Sequence, residues 1–165
     1  MSTPEPRTSV STHGPVLIVG TGLLGTSLAL ALWTAGVEVQ LSDTSPTSLA
    51  LARDMGAGAL HGKDSPEPQI VVVATPPDVT ADVVVAQLTA HPNAVVTDVA
   101  SVKERVVAEV RARAGAEACR YVGSHPMAGR ERSGAGAADC DLFAGRPGWL
   151  SVRTPIRRRS WSSGT

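Results

Sequence analysis

The sequence predicts an α/β fold, doubly wound about a mostly parallel sheet, on three observations. Short Val-rich runs alternate with Ala- and Leu-rich stretches long enough for helices. The first such run leads straight into a cluster of glycines, Gly20, Gly22 and Gly25. The 23 alanines and 21 valines among 165 residues suit buried parallel strands under small-residue helices.

Taken in order, Val16 to Val19 is an apolar strand. Leu23 to Ala35 reads as a helix ending at Gly36, a natural residue just past a helix C-terminus. Val37 to Leu41 alternates apolar and polar residues, as a strand does. Pro46 to Met55 fits a helix with Ser45 as N-cap and proline at its first position. Ile70 to Ala74 is a buried strand, Asp78 to Ala90 a helix, Ala94 to Thr97 a strand and Val102 to Ala114 a helix. Tyr121-Val122 starts a further short strand. Strand, helix, strand at this spacing implies right-handed crossovers in a parallel sheet.

Length and composition bound the rest. The 165 residues suffice for one domain with a core that needs neither disulfides nor metal. Cys119 and Cys140 are too few for a disulfide framework and suggest a reducing compartment. With 15 basic and 15 acidic residues and five aromatics, neither nucleic acid nor an anionic membrane is expected as the main partner. No apolar run is long enough to span a bilayer. Met1 to Gly14 reads as a disordered leader without the apolar run of a secretory signal, so a cytoplasmic location is expected. The neutral balance is uneven, however. Residues 1–150 hold 11 basic and 15 acidic side chains, whereas 151–165 hold four arginines and no acid. That break marks a boundary.

The glycines fit G-x-G-x-x-G between a predicted strand and a predicted helix. Gly20 permits the tight turn, Gly22 the approach of a pyrophosphate, and Gly25 close helix–strand packing. The phosphates would then meet free N–H groups, including that of Leu23, at the helix N-terminus. Asp43 ends the second predicted strand 18 residues after Gly25, where a carboxylate accepts hydrogen bonds from ribose hydroxyls. Its charge would repel a 2′-phosphate, and no arginine stands beside it, which favours NAD over NADP. Asp43 could instead be a turn residue before Ser45-Pro46.

In an open parallel sheet, ligands gather beyond the carboxyl ends of the strands. Three loops occupy such ends. In Ala74-Thr75-Pro76-Pro77 the prolines would wall the nicotinamide, or would merely punctuate a helix start. In Asp98 to Lys103, Ser101 is either an N-cap, with Glu104 completing a capping box, or a hydroxyl facing the cleft, and the two can coexist. Asp98 can be read as closing the strand and Lys103 as a solvated helix residue. In Gly123 to Glu131, His125 alone of four histidines sits at a predicted strand end, flanked by Ser124 and Pro126. An imidazole there can take a proton as hydride leaves the substrate. His61 and His91 read as surface-turn residues, and Glu131 either closes over the pocket or is simply exposed.

Together Gly20 to Gly25, Ala74 to Pro77, Thr97 to Lys103, Gly123 to Glu131 and Asp141-Leu142-Phe143 resemble the prephenate dehydrogenases in order and spacing. The resemblance covers roughly Pro15 to Pro147, and its GSHPMAGRE and DVASVK segments are far more specific than the glycine motif. It implies a Rossmann-like domain and NAD-linked oxidative decarboxylation of prephenate to 4-hydroxyphenylpyruvate in tyrosine biosynthesis, with arogenate dehydrogenase as the close relative. It also implies that His125 draws off the ring hydroxyl proton, that Ser101 orients His125 and helps place substrate and nicotinamide, that Ser124 binds substrate, and that Glu131 lines or gates the entrance. Family members continue into a helical C-terminal domain that makes a homodimer and supplies an arginine to the substrate carboxylate. The expectation is that this domain is missing here and that the chain is weakly active, or a non-catalytic NAD-binding fragment. No metal site is assigned. Residues 148–165 read as an aberrant basic tail, explained either by a frame slip between Pro147 and Val152 or by a genuine tail for an acidic partner.

Overall fold

The computed structural model describes residues 14–126 and 148–151. The elements run β1 (Val16–Val19), α1 (Leu23–Thr34), β2 (Val39–Ser42), α2 (Pro46–Asp54), β3 (Ala59–Leu60) and β4 (Ile70–Val73). There follow α3 (Pro77–Ala90), β5 (Val95–Asp98), α4 (Lys103–Ala114), a 3₁₀ turn (Gly115–Arg120), β6 (Tyr121–Pro126) and β7 (Gly148–Ser151). The strands form one sheet in the order β3-β2-β1-β4-β5-β6-β7. The first six are parallel and β7 is antiparallel. The doubly wound α/β fold expected from the alternation is therefore present.

Both faces of β1 are buried, which explains its unbroken apolar run. Leu17 and Val19 join Val71, Val73 and Val96 under α3 and α4, where Val84, Leu88, Val106 and Val110 complete one layer. Val16 and Ile18 join Val39, Leu41 and Val72 on the other face with Ala29 of α1 and Ala52 of α2. Burying each such side chain stabilises the fold by roughly 1.5–3 kcal/mol relative to exposure. Small residues on α1 let it lie close: Gly25, Thr26, Ser27 and Ala29 are its buried positions.

Local chemistry sets the helix ends. The Ser45 hydroxyl accepts from the Ser48 N–H at 3.3 Å ahead of Pro46, as expected of an N-cap. At α4 the expectation fails. The helix begins at Lys103 after Val102, with no side-chain cap, so Ser101 and Glu104 form no capping box. Ser101 instead turns the chain, its carbonyl accepting from the Lys103 N–H at 3.1 Å. Past α3, the Arg120 guanidinium donates to the carbonyls of Leu88, His91 and Ala94 at 2.6, 2.9 and 2.8 Å. One side chain thus ties the last turn of α3 to the loop that leads into β5.

The link from β3 to β4 crosses the α3 side of β2. Gln40, 2% exposed, holds it there, donating to the Pro66 carbonyl at 2.8 Å and meeting His61 Nδ1 at 2.7 Å through Oε1. His61 packs edge-on against His91, with ring centroids 5.6 Å apart. His91 is only 8% exposed and contacts Glu67 at 2.9 Å. The surface-turn reading of these histidines is corrected for His91, because the crossover covers it.

The sheet continues past Pro147. Gly148–Ser151 pair with β6, setting Leu150 opposite Ser124 and Trp149 opposite His125. The charge break begins at Arg153. Trp149 and Leu150 before it suit a strand beside an unpaired edge. The leader at residues 1–13, and residues 127–147 and 152–165, lie outside the described residues.

Candidate nucleotide-binding site

The strand order reverses between β1 and β4, where β1 is followed by α1 on one face and β4 by α3 on the other. Such a switch point opens a crevice at the carboxyl ends of the strands. A cleft of about 800 Å³ lies there, lined among others by Gly20, Gly22, Leu23, Asp43, Thr75 and Pro76. Six of the seven residues assigned from sequence to cofactor binding therefore meet around one space.

The seventh, Gly25, works from behind. A β-carbon on it would collide with the Gly20 carbonyl, so glycine lets α1 start against the turn. Gly20 has φ +100°, and a β-carbon there would stand 2.5 Å from the Ala74 carbonyl. Gly22 differs, because nothing lies within 4 Å of where its β-carbon would be. That open space faces the start of α1, which has no side-chain cap. Its first N–H groups are thus available to an anion. A pyrophosphate fits this cradle.

Asp43 is half-buried and tightly held. Thr21 donates to its Oδ2 twice, from N–H at 2.6 Å and from Oγ1 at 2.8 Å, and the Ser45 N–H donates to Oδ1 at 2.8 Å. Burial pushes its carboxyl up, but the hydrogen bonds from Ser45, Thr21 and Thr44 outweigh this and hold it below the usual carboxylate range. The lining residues include no Lys or Arg. An adenosine ribose with free hydroxyls fits the carboxylate, and a 2′-phosphate does not. On α3, Val79 and Val83 extend an apolar wall beyond Pro76, suited to a flat base.

Next along the sheet, β5 and β6 end in a buried ionic network. Asp98 is 0% exposed. Its Oδ2 accepts from Lys103 Nζ at 2.5 Å and from the Ala100 N–H at 3.0 Å, and its Oδ1 accepts from the Tyr121 hydroxyl at 2.6 Å. Burial, with the Asp98 carboxylate next, pushes the Tyr121 phenol up, so it remains a donor. Lys103 crosses over Gly123, where a β-carbon would come within 2.8 Å of its Cδ. Asp98 and Lys103 are thus neither a mere strand end nor a solvated helix residue. A sequence signal existed in the acid–base spacing of five residues, but each had an ordinary surface reading.

This network frames the remaining candidates. Ser101 is exposed on the loop that Asp98 and Lys103 clamp from either side. The Ser124 hydroxyl donates to the Asp98 carbonyl at 2.6 Å and accepts from Thr97 at 3.3 Å, tying β6 to β5. His125 follows on β6, two residues past Gly123, the register partner of Asp98. Glu131 lies outside the described residues. Sequence reasoning missed Thr21, whose only signal was its place between two glycines, and Val79 and Val83, which lie unremarked inside a predicted helix.

A doubly wound sheet with a glycine turn, an open helix N-terminus and a carboxylate in the cleft after β2 defines a dinucleotide-binding domain. Comparison with known proteins narrows the class. Residues 27–156 match the nucleotide-binding domain of prephenate dehydrogenase, and the chain belongs to that family. The relative named "Probable prephenate dehydrogenase NovF" from Streptomyces niveus is 42% identical over 137 residues, 82% of this chain but 37% of its own length. The prephenate dehydrogenase of A. aeolicus, solved with hydroxyphenyl propionate and NAD+, superposes with a TM-score of 0.73 at 31% identity. That match covers 91% of this chain and 53% of the other. Synechocystis arogenate dehydrogenase gives 0.72 at 27% identity, over 82% and 49% of the two chains. The chain thus spans about half the length of these solved structures. The family match runs to residue 156, past the boundary read from composition.

Proposed function

We propose that this chain is the nucleotide-binding part of an NAD-dependent prephenate dehydrogenase, serving oxidative decarboxylation of prephenate to 4-hydroxyphenylpyruvate. The observation that carries this reading is the cleft itself. Gly20, Gly22, Asp43 and Pro76 line it, while Ser101 and His125 stand at the two strand ends beyond β4.

When bound, NAD supplies the hydride acceptor. The chain's own work is to hold a ribose at Asp43, a pyrophosphate at Gly22 and the start of α1, and a nicotinamide near Thr75-Pro76. In this proposal His125 accepts the proton of the ring hydroxyl as hydride leaves the carbon that bears it. The ring carboxylate departs as carbon dioxide, the ring becomes aromatic, and the His125 imidazolium returns the proton to the phenolate oxygen. Ser101 orients the imidazole, and Ser124 and Glu131 border the substrate. Histidine suits this step because its unperturbed pKa of about 6.5 lets it take a proton at neutral pH.

A second reading, arogenate as substrate, is supported by the similarity to the Synechocystis enzyme. The two substrates differ by a side-chain amine. In the family the dimer forms through a helical domain, and we extend the homodimer and a cytoplasmic setting to the protein on that basis. No helix among the described residues is long and apolar enough to cross a membrane.

Calorimetric titration with NAD, followed by NADH formation with prephenate and with arogenate, tests these readings. We expect NAD binding and a preference for prephenate in whatever turnover occurs. Absence of NAD binding overturns the nucleotide assignment. Turnover unchanged by His125→Asn removes that residue as the base.

A further inference from the structure

We infer that Thr21 is a specificity-determining positioning residue for the dinucleotide, acting through Asp43 rather than by touching the ligand. This rests on the nucleotide-binding reading above.

Thr21 is 0% exposed, yet both of its donors reach one carboxylate oxygen 22 residues away. An ionised carboxylate oxygen accepts about two hydrogen bonds. Asp43 Oδ2 is therefore filled by Thr21 alone. Oδ1 carries the Ser45 N–H, and Asp43 lines the open cleft from which a ribose hydroxyl can approach it. The Thr21 backbone is anchored in turn, its carbonyl accepting from Thr26 Oγ1 at 3.0 Å. The glycine turn thus fixes the carboxylate that reads the ribose, and it does so through a side chain the motif leaves unspecified.

Two consequences follow for selectivity. A carboxylate held at one rotamer meets the ribose hydroxyl without ordering its own side chain, which favours NAD. The same fixed charge cannot swing aside for a 2′-phosphate, which disfavours NADP. Removing the Thr21 hydroxyl leaves only backbone donors on Asp43 and lets the side chain rotate. Affinity for NAD then falls while exclusion of NADP relaxes. A merely structural role for Thr21 would weaken both dinucleotides alike.

Dissociation constants for NAD and NADP, measured by calorimetry on the full chain and its variants, separate these outcomes. Thr21→Val should weaken NAD binding about fivefold, the worth of roughly one hydrogen bond, without weakening NADP to the same degree. Thr21→Ser keeps the hydroxyl and should restore the original ratio. In an Asp43→Asn background, Thr21→Val should leave the ratio unchanged, because the charge it positions is gone. Should the valine variant unfold, Thr21→Cys keeps the bulk with a much weaker donor and serves the same comparison. Equal losses for the two dinucleotides, or the same narrowing without the Asp43 charge, would overturn the inference alone. Failure of the unaltered chain to bind either dinucleotide would overturn the nucleotide reading and this inference with it.

Discussion

At the β1–β2 end of the site, Asp43 collects hydrogen bonds from Thr21 and Ser45 yet still lines an open cleft. At the β5–β6 end, Asp98 is 0% exposed and its charge is answered by Lys103 inside the protein. Both are aspartates at strand ends, and both organise the loop that follows. The first is held by neutral donors and left free for a ligand. The second is satisfied entirely from within, so its role is to hold other residues. A buried ion pair of this kind is weak evidence for net stability, since desolvation offsets the attraction. Its stronger effect is geometric, because it fixes the segment carrying Ser101 beside the strand carrying His125.

The sharpest way to separate the two ends is to remove each charge. Asp98→Ala leaves the Lys103 ammonium and the Tyr121 hydroxyl without their partner, and should cost about 3–5 kcal/mol in a urea titration. Asp43→Ala strands no buried charge, and its loss should be clearly smaller. Equal losses would mean that the two aspartates hold the fold in the same way.

Gly25→Ala tests the glycine-turn end without touching charge. Its methyl would meet the Gly20 carbonyl and the Ala74 side chain, so backbone must move. The cost should be about 1–3 kcal/mol, with a loss of NAD affinity greater than any change in stability explains. Gly123→Ala is its counterpart at the other end. There the methyl meets the Lys103 Cδ at 2.8 Å, on a side chain pinned by Asp98, with the Tyr121 hydroxyl oxygen at 3.3 Å. A cost of about 1–3 kcal/mol is expected, with NAD affinity retained. Loss of NAD binding in the Gly123 variant would join the two regions into one unit.

The same contrast governs what the sequence made legible. The glycine turn, Asp43 and the Ser45 cap depend on neighbours in the chain or on a spacing the fold repeats, and all could be located from the residues. Asp98 and Lys103 stood in a noticed segment, but their pairing needs Tyr121 and Gly123 from the next strand, 20 or more residues on. No local pattern records that meeting. Ser101 was open to a capping reading because its spacing to Glu104 is right. Asp98 settles it otherwise by bonding the Ala100 N–H and drawing in Lys103 at the first turn of α4. The strand at Gly148–Ser151 was hidden for another reason. Composition responds to the arginines that follow it, whereas pairing responds to the free edge of β6.

Acid should produce the smallest difference and discriminates most finely. The Asp43 carboxyl is held below its ordinary value of 3.8 by its donors. A depressed folded value contributes stability that is complete above the unfolded value and is lost as pH falls through the folded one. The melting-temperature gap between the unaltered chain and Asp43→Asn should thus stay constant from about pH 7 to 5 and close only below about pH 3.8. The gap itself should be a few degrees at most, given the partial exposure of the group. His61 adds a separate slope. Burial, and then the charge of His91, lower its value below 6.5, so protonation favours the unfolded chain and stability declines as pH drops beneath about 6.5. That decline is common to both proteins and cancels in their difference. A gap that stays flat as pH falls through about 3.8 would show that Asp43 titrates alike in the folded and unfolded chain. Thr21 would then not be holding it, and the contrast between the two ends of the site would rest on burial alone.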